Sequence, residues 1–415
     1  MADSSETVKR NRLLLLTHQY PYDYGDAAFI RNEIDALAEA FDEVLIVSLT
    51  APDAPLLPLR PNVRFLGSVG TISASRAIRG MLNPARAIRA IRVFFGEGFG
   101  RSASKLRSDL IAATTGAWIA SRTPIREATN GREPLAIYSF WGVDIAYVLP
   151  WLRRRANRIA VRVHRYDLDE RTAGYRPLRR NVLGTADTIL TIAQSGRDYL
   201  LEQAPYLAPE RIVVRHLGTP PQPMPRHADH QDEVVRIASC SSVIPLKRVD
   251  LILRTASELA ERGHTVAWTH FGDGPLLEEI RAEAERAVQT TPGLTIELPG
   301  RLPTDEILAR YREVPPGVFL NLSTTEGIPV SAMEAASYGI PIVATNVGST
   351  HELVGEDLGS GILVDVRDDE RRIASAVERV VDPSARYDSR AVWAQRFDSA
   401  ANARAAARSV LGLTR

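Results

Sequence analysis

The sequence predicts an α/β protein made of two Rossmann-like, doubly wound domains facing across a cleft. Three observations carry this. Short runs rich in Val, Ile and Leu alternate with helical patterns along the chain, the rhythm of βαβ units on a parallel sheet with right-handed crossovers. The rhythm breaks at Leu217-Gly218-Thr219-Pro220-Pro221-Gln222-Pro223-Met224-Pro225 and restarts at Val234, and such proline density marks an extended linker. A chain of 415 residues, 45% of them hydrophobic, is also long enough for two cores. The expected organisation is a first domain over 1–217, a linker over 218–233, a second domain over 234–395 and a helix over 396–415 crossing back to the first.

In the first half, Leu13–Thr17 reads as a buried strand. The turn-rich stretch His18 to Asp26 follows, and then a helix with Phe29, Ile30, Ile34, Leu37, Ala38 and Phe41 on one side. Val44–Leu49 is a second strand and Asn62–Leu66 a candidate third. Leu135–Phe140 is a strand that ends at Trp141-Gly142, and Arg158–Val163 is one that delivers His164-Arg165-Tyr166-Asp167. Asp187–Ile192 and Arg211–Val214 complete the set, with a helix at Ser195–Leu201. Gly25 and His164 both fall at carboxyl ends of strands, where open α/β sheets bind ligands. A lone His is more often structural, so His164 stands as a candidate through its position.

Residues 75–110 differ from the rest. Arg76, Arg79, Arg86, Arg89, Arg92, Arg101, Lys105 and Arg107 interleave with Ile78, Met81, Leu82, Ile88, Ile91, Val93, Phe94, Phe95 and Phe99, opposed by only Glu97 and Asp109. A basic helix with an apolar face fits an anionic membrane surface. It equally fits a helix packed on the sheet with a solvated basic face. Nucleic acid is set aside, because no binding motif accompanies the charge. The overall net charge of +1 conceals this asymmetry, since residues 1–216 carry a net +8 and the remainder −7.

The second half repeats the pattern. Strands are expected at Val234–Ala238, Thr265–Phe271, Leu294–Leu298, Val318–Leu322, Pro341–Thr345 and Gly361–Val364, with helices at Asp368–Val380 and Ala400–Leu411. Val318–Leu322 leads through Ser323-Thr324-Thr325-Glu326-Gly327-Ile328-Pro329 into a helix carrying Glu334. Proline is tolerated in a first helical turn, and the free N–H groups there suit an anion. Glu326 and Glu334 would repel a bare anion, but carboxylates accept strongly from sugar hydroxyls. The stretch therefore reads as a site for a phosphorylated sugar or nucleotide, against the plainer reading of a strand–loop–helix unit with two solvated glutamates. Lys247 and Arg248, at a helix start after the domain's first strand, suit a diphosphate or simply a solvated helix end.

Other signals narrow the chemistry. Gly272-Asp273-Gly274 lacks the third glycine of a dinucleotide fingerprint and reads as a strand-to-helix turn. His351-Glu352 lacks a second His at zincin spacing, and neither a Gly-x-Ser-x-Gly elbow nor a P-loop occurs. The single cysteine, Cys240, excludes an internal disulfide and suits a reducing cytosol. The run Leu13–Leu16 is too short for a signal segment or a membrane span.

The segment Glu326-Gly327-Ile328-Pro329 through Glu334, and on through Gly339-Ile340-Pro341 to Val347-Gly348-Ser349-Thr350-His351-Glu352, resembles the carboxyl-terminal signature of GT-B glycosyltransferases, most closely the retaining family 4. The two glutamates match that family's Glu-x7-Glu motif. His164-x-Tyr166-Asp167 and Tyr138-Ser139-Phe140-Trp141 are similar to bacterial members that build surface polysaccharides, so the likeness covers most of the chain. The resemblance implies that Glu334 holds the ribose hydroxyls, Glu326 the donor sugar's hydroxyls and Lys247 the diphosphate. Gly327 and Ile328 would offer N–H groups beside Pro329, and Arg301 and Leu302 would frame the base. Gly25 would lie near the diphosphate and acceptor, and His164 near the reacting carbon. Asp26, Trp141, Tyr166 and Asp167 stand as further acceptor-side candidates. The sequence departs from the family where Arg is common five residues before the lysine: the position is Ser242, with Arg248 as the compensating cation.

On this reading the protein is a retaining, metal-independent glycosyltransferase. It would take a UDP- or GDP-sugar as donor, need no other cofactor, and act on a saccharide or lipid-linked acceptor for a cell-surface polysaccharide or glycolipid. Asp167-Leu168-Asp169 is read as a loop element rather than a metal site. The expected location is the cytoplasm, peripheral to the inner membrane face. The alternatives are a nucleotide-sugar epimerase of the same fold and a non-catalytic sugar-nucleotide-binding protein. Base, sugar and acceptor identity reside in loops that sequence pattern does not decode.

Overall fold

The computed structural model describes residues 11–71, 73, 82–98, 101–131, 133–170, 174–223 and 234–413. Arg76, Ile78, Arg79, Met81 and Phe99 of the basic stretch, and residues 224–233 of the expected linker, lie outside the described residues. The chain divides into two compact units, Met1–Leu217 with Ala400–Arg415, and Gly218–Ser399.

The first unit holds seven parallel strands: β1 (Arg12–Thr17), β2 (Glu43–Ser48), β3 (Val63–Ser68), β4 (Leu135–Ser139), β5 (Arg158–Val163), β6 (Thr188–Thr191) and β7 (Ile212–Val214). Their order is β3-β2-β1-β4-β5-β6-β7. In β1, Leu14 and Leu16 enter one buried cluster with Trp118, Ile137 and Trp151, while Leu13 and Leu15 enter another with Ile30, Tyr138 and Ala406. Successive side chains of a strand point to opposite faces. An unbroken leucine run is therefore what a parallel strand covered on both faces requires.

The second unit holds six parallel strands: β8 (Val234–Cys240), β9 (Thr265–Phe271), β10 (Leu294–Gly300), β11 (Val318–Asn321), β12 (Ile342–Thr345) and β13 (Gly361–Val364), in the order β10-β9-β8-β11-β12-β13. Leu320 and Val343 face one buried cluster, Phe319 and Ile342 the other. At the edge, Gly361 has φ +151°, and a Cβ there would lie 1.8 Å from the Ile342 carbonyl oxygen, so only glycine fits.

In both sheets the strand order reverses once, between β1 and β4 and between β8 and β11. At such a reversal the loops leaving two adjacent strands part to opposite faces and leave a crevice at the carboxyl ends.

Two expectations are corrected. The helix read through Phe29 and Phe41 is broken into Ala27–Ile30 and Ile34–Ala40. The break lies beside Glu33, whose carboxylate turns inward to Arg162 at 2.6 Å. Among the described residues the basic stretch contains two helices rather than one, Pro84–Gly96 and Ala103–Ile119, capped by Asn83 and Ser102.

Candidate active site

In the second unit, β8 leads to a single 3-10 turn, Pro245–Lys247. β11 ends at Asn321, and its loop runs to Pro329, the N-cap of the helix Val330–Ser337. The two loops meet at the strand-order reversal. Thr324 N donates to the Leu246 carbonyl at 2.9 Å, and Lys247 Nζ forms an ion pair with Glu326 Oε1. The same oxygen accepts from Ser323 Oγ at 2.7 Å and Asn321 Nδ2 at 3.4 Å. Both partners are mostly shielded from solvent, which strengthens the pair relative to one on the surface.

The loop carrying Glu326 is braced from behind. Gly348, at φ +57°, lies so close that a Cβ would sit 1.9 Å from the Glu326 carbonyl oxygen, and Ser349 N donates to the Gly327 carbonyl. A Cβ on Gly327 would touch nothing, so its backbone faces open space. Ile328 packs into the core beneath. Ser331 Oγ donates to the Cys240 carbonyl at 2.9 Å, fixing the helix start against the end of β8.

Glu334 lies in the second turn of that helix. No hydrogen-bond partner for its carboxylate exists among the described residues, and burial pushes its pKa up to about 7. Burial, with the charge of Glu334 added, lifts the neighbouring Cys240 thiol to about 12. An isolated carboxylate in this setting is poised to accept from hydroxyl donors of a ligand.

Arg248 follows Lys247 directly. Its backbone is left-handed at φ +49°, and its guanidinium donates to the carbonyls of Leu322 at 2.6 Å and Val366 at 2.7 Å. It ties together the chain beyond β11 and β13, while Nη2 is buried without a hydrogen-bond partner among the described residues. Arg301 and Leu302 follow β10, the first exposed and the second half-buried against the core. Gly272 and Gly274 serve close packing, since a Cβ on Gly272 would lie 1.8 Å from the Ser241 carbonyl oxygen.

In the first unit the loops after β1, β4 and β5 gather an aromatic group. The His18 ring stacks on Trp141 at 4.9 Å and 5°, and Trp141 lies 4.3 Å from His164. His164 is buried, with neither ring nitrogen in a hydrogen bond among the described residues, and Asp167 Oδ2 lies 3.9 Å from its Nδ1. Gly25 turns the first loop at φ +58°.

Two of the acceptor-side candidates are engaged within the chain. Asp26 accepts from the backbone N–H groups of His18, Gln19 and Tyr20 and from Trp141 Nε1. Asp167 accepts from the N–H groups of Gly142, at 2.6 Å, and His164. Both carboxylates hold loops of the first unit: Asp26 has four N–H donors, and Asp167 has two and keeps spare acceptor capacity. Tyr166 is exposed beneath the Arg176 guanidinium, 4.5 Å from its ring.

The sequence reading missed His18 and Asp144. Asp144 has a left-handed backbone at φ +55°, and its carboxylate lies 3.7 Å from His18 Nε2. Burial raises its pKa, against the pull of His18 and Arg176 and with a further push from Asp167. The available signals were the position of His18 directly after β1 and the readiness of aspartate to adopt the left-handed region.

Residues 231–382 match the family described as Glycosyl transferases group 1. A putative colanic acid biosynthesis glycosyltransferase, WcaL of Escherichia coli K12, is 28% identical over 220 residues, covering 51% of this chain and 52% of that protein. The chain thus spans about half the length of that curated relative. Among solved structures, a lipopolysaccharide outer core galactosyltransferase, WaaB, superposes with TM-score 0.68 at 12% identity over 97% of this chain and 99% of that one. Anabaena HepE in complex with UDP gives TM-score 0.61 at 14% identity over 97% and 100%. At these identities the structural likeness establishes the GT-B fold.

Proposed function

The second unit contains a domain of the glycosyl transferases group 1 family over residues 231–382, and from that premise we propose that the chain transfers a sugar from a nucleotide-sugar donor to a saccharide or lipid-linked acceptor. The observation that carries this reading is the grouping at the β8–β11 reversal: the Lys247–Glu326 pair, the open backbone at Gly327 and the unpartnered Glu334. Donor binding would exchange the ion pair for two ligand contacts, Lys247 to the diphosphate and Glu326 to sugar hydroxyls. Glu334 would accept from the ribose. HepE, whose structure holds UDP, supports a nucleotide donor, and the WcaL and WaaB relatives support a saccharide product.

The chemical requirement is charge stabilisation on the departing nucleoside diphosphate as the glycosidic bond breaks. Lys247 and the free N–H groups at the start of the helix Val330–Ser337 supply it in this reading, so turnover should survive chelation. We further take the reaction to retain anomeric configuration through an oxocarbenium-like front-face transfer.

The deciding experiment is a thermal-shift screen against UDP-, GDP-, ADP- and dTDP-sugars, followed by product analysis. One nucleotide class should raise the melting temperature by mass action, and that donor should yield glycosylated acceptor with its anomeric configuration kept. Stabilisation by none of the four, in protein that is folded, would overturn the donor site.

A further inference from the structure

We propose that the helix pair Pro84–Gly96 and Ala103–Ile119 is a docking face for an anionic lipid bilayer. The helices pack against each other through a short connection, and both turn apolar side chains outward. On the first, Ala90 and Val93 are buried. Ile88, Ile91 and Phe95, spaced i, i+3, i+7 on the opposite side, are 53%, 52% and 54% exposed. On the second, Leu110 and Ile111 are about half exposed beside Arg107. Isolated exposed apolar residues are ordinary, but a stripe of them at helical spacing is not.

The charge on this face has one sign. Both acidic residues of the pair point inward. Glu97 accepts from the Asn181 backbone and side chain at 2.7 Å and from Arg180 N at 3.2 Å. Asp109 is fully buried, accepting from Tyr175 Oη, Leu178 N and Arg101. Arg86, Arg92, Lys105 and Arg107 form no salt bridge among the described residues. Arg89 turns partly inward, donating to the Trp151 carbonyl at 3.1 Å, and burial first, then the nearby charges of Arg154 and Arg92, hold its pKa below the usual value. A protein-binding helix pair would ordinarily carry exposed charge of both signs. Apolar stems amid cations without a carboxylate partner, Lys105 lying over the Tyr175 ring at 4.9 Å, instead match the acyl boundary and phosphate headgroups of an anionic bilayer. A second copy of the chain would bring like charge against like charge.

Two variants separate the contributions. Arg92→Glu/Arg107→Glu removes the electrostatic part and Ile91→Ser/Phe95→Ser the apolar part. All four side chains are exposed, so the fold should persist, with circular dichroism melting as the control. Wild-type protein should float with phosphatidylcholine vesicles containing about one third phosphatidylglycerol and not with phosphatidylcholine alone, and added salt should release it. Each basic side chain near such a surface contributes about fivefold in partitioning, so each double variant should lose at least about tenfold. In a Cys240→Ser background, an environment-sensitive dye on Ile91→Cys should shift to the blue with anionic vesicles only. Nucleotide-dependent thermal shifts should be equal in all variants, so this test is independent of the donor site. Absence of wild-type flotation, or flotation of the variants like wild type, overturns the proposal. So does a dimer, seen in gel filtration, that Ile91→Ser/Phe95→Ser dissociates without any vesicle binding.

Discussion

Nε1 of Trp141 donates to the carboxylate of Asp26 over 3.1 Å, and this bond joins the loop after β1 to the loop after β4 at the first sheet's reversal. The same carboxylate gathers three backbone N–H groups. Asp26→Asn replaces one acceptor oxygen with a donor that must face N–H groups. The expected cost is about 1–3 kcal/mol, read as a lowered denaturation midpoint. A neutral result would show that the loop holds without this carboxylate.

Lys247 and Glu326 form a pair within which each shields the other. Lys247→Met leaves Glu326 with Ser323 and Asn321 as donors, so the stability loss should be modest, about 1–2 kcal/mol. Turnover should fall by about a hundredfold or more, because the leaving diphosphate loses its cation. Glu326→Gln should likewise abolish turnover in folded protein. Full activity of both variants would refute the site.

Glu334 gives a pH signature. Burial raises its folded pKa from 4.5 to about 7, so its contribution to stability is fully present below pH 4.5 and is lost as pH rises to 7. Glu334→Gln should therefore stabilise the free protein at pH 8, by about 3–4 kcal/mol at most. Hydroxyl donors of a ligand favour the ionised form. Nucleotide affinity should accordingly rise as pH increases from 6 to 8, with proton release on binding, and the slope should vanish in Glu334→Gln. Calorimetry in buffers of different ionisation enthalpy measures this.

Arg162 is fully buried and donates to Glu33 at 2.6 Å, Tyr138 Oη at 2.7 Å and the Arg215 carbonyl at 2.9 Å. Removing only the anion, in Glu33→Ala, strands a buried cation and should cost about 3–5 kcal/mol. Glu33→Leu/Arg162→Met should recover much of that loss. Urea titration of the two variants makes the comparison.

The strands were legible in the sequence because both sheets are parallel and covered on both faces, so runs such as Leu13–Leu16 and Val318–Leu322 cannot belong to an exposed element. The Glu326 loop was legible because its turn, its proline and its two glutamates are consecutive in the chain. The backbone contacts of Arg248 were not, since they depend on where the Leu322 and Val366 carbonyls come to rest. The isolation of Glu334 was hidden for a related reason: sequence shows which groups are present, but not which fail to approach. His18 and Asp144 meet only because β1 and β4 are adjacent in the sheet. The inward turn of Glu97 and Asp109 was likewise invisible, and the same composition would have described a helix with mixed surface charge.

Ala403, Ala406, Ala407 and Val410 lie in one buried cluster with Leu13, Leu15 and Tyr138, and Arg215 Nε donates to Ser409 Oγ at 2.9 Å. The first sheet is thus sealed by residues that a ribosome adds only after all of 218–399 has been made. While synthesis passes through that stretch, one face of a seven-stranded sheet lacks its last cover. The nascent chain must be protected over that interval, or the second unit must fold quickly enough to bring the closing helix into reach. Order of synthesis and order of completion run in opposite directions along this polypeptide.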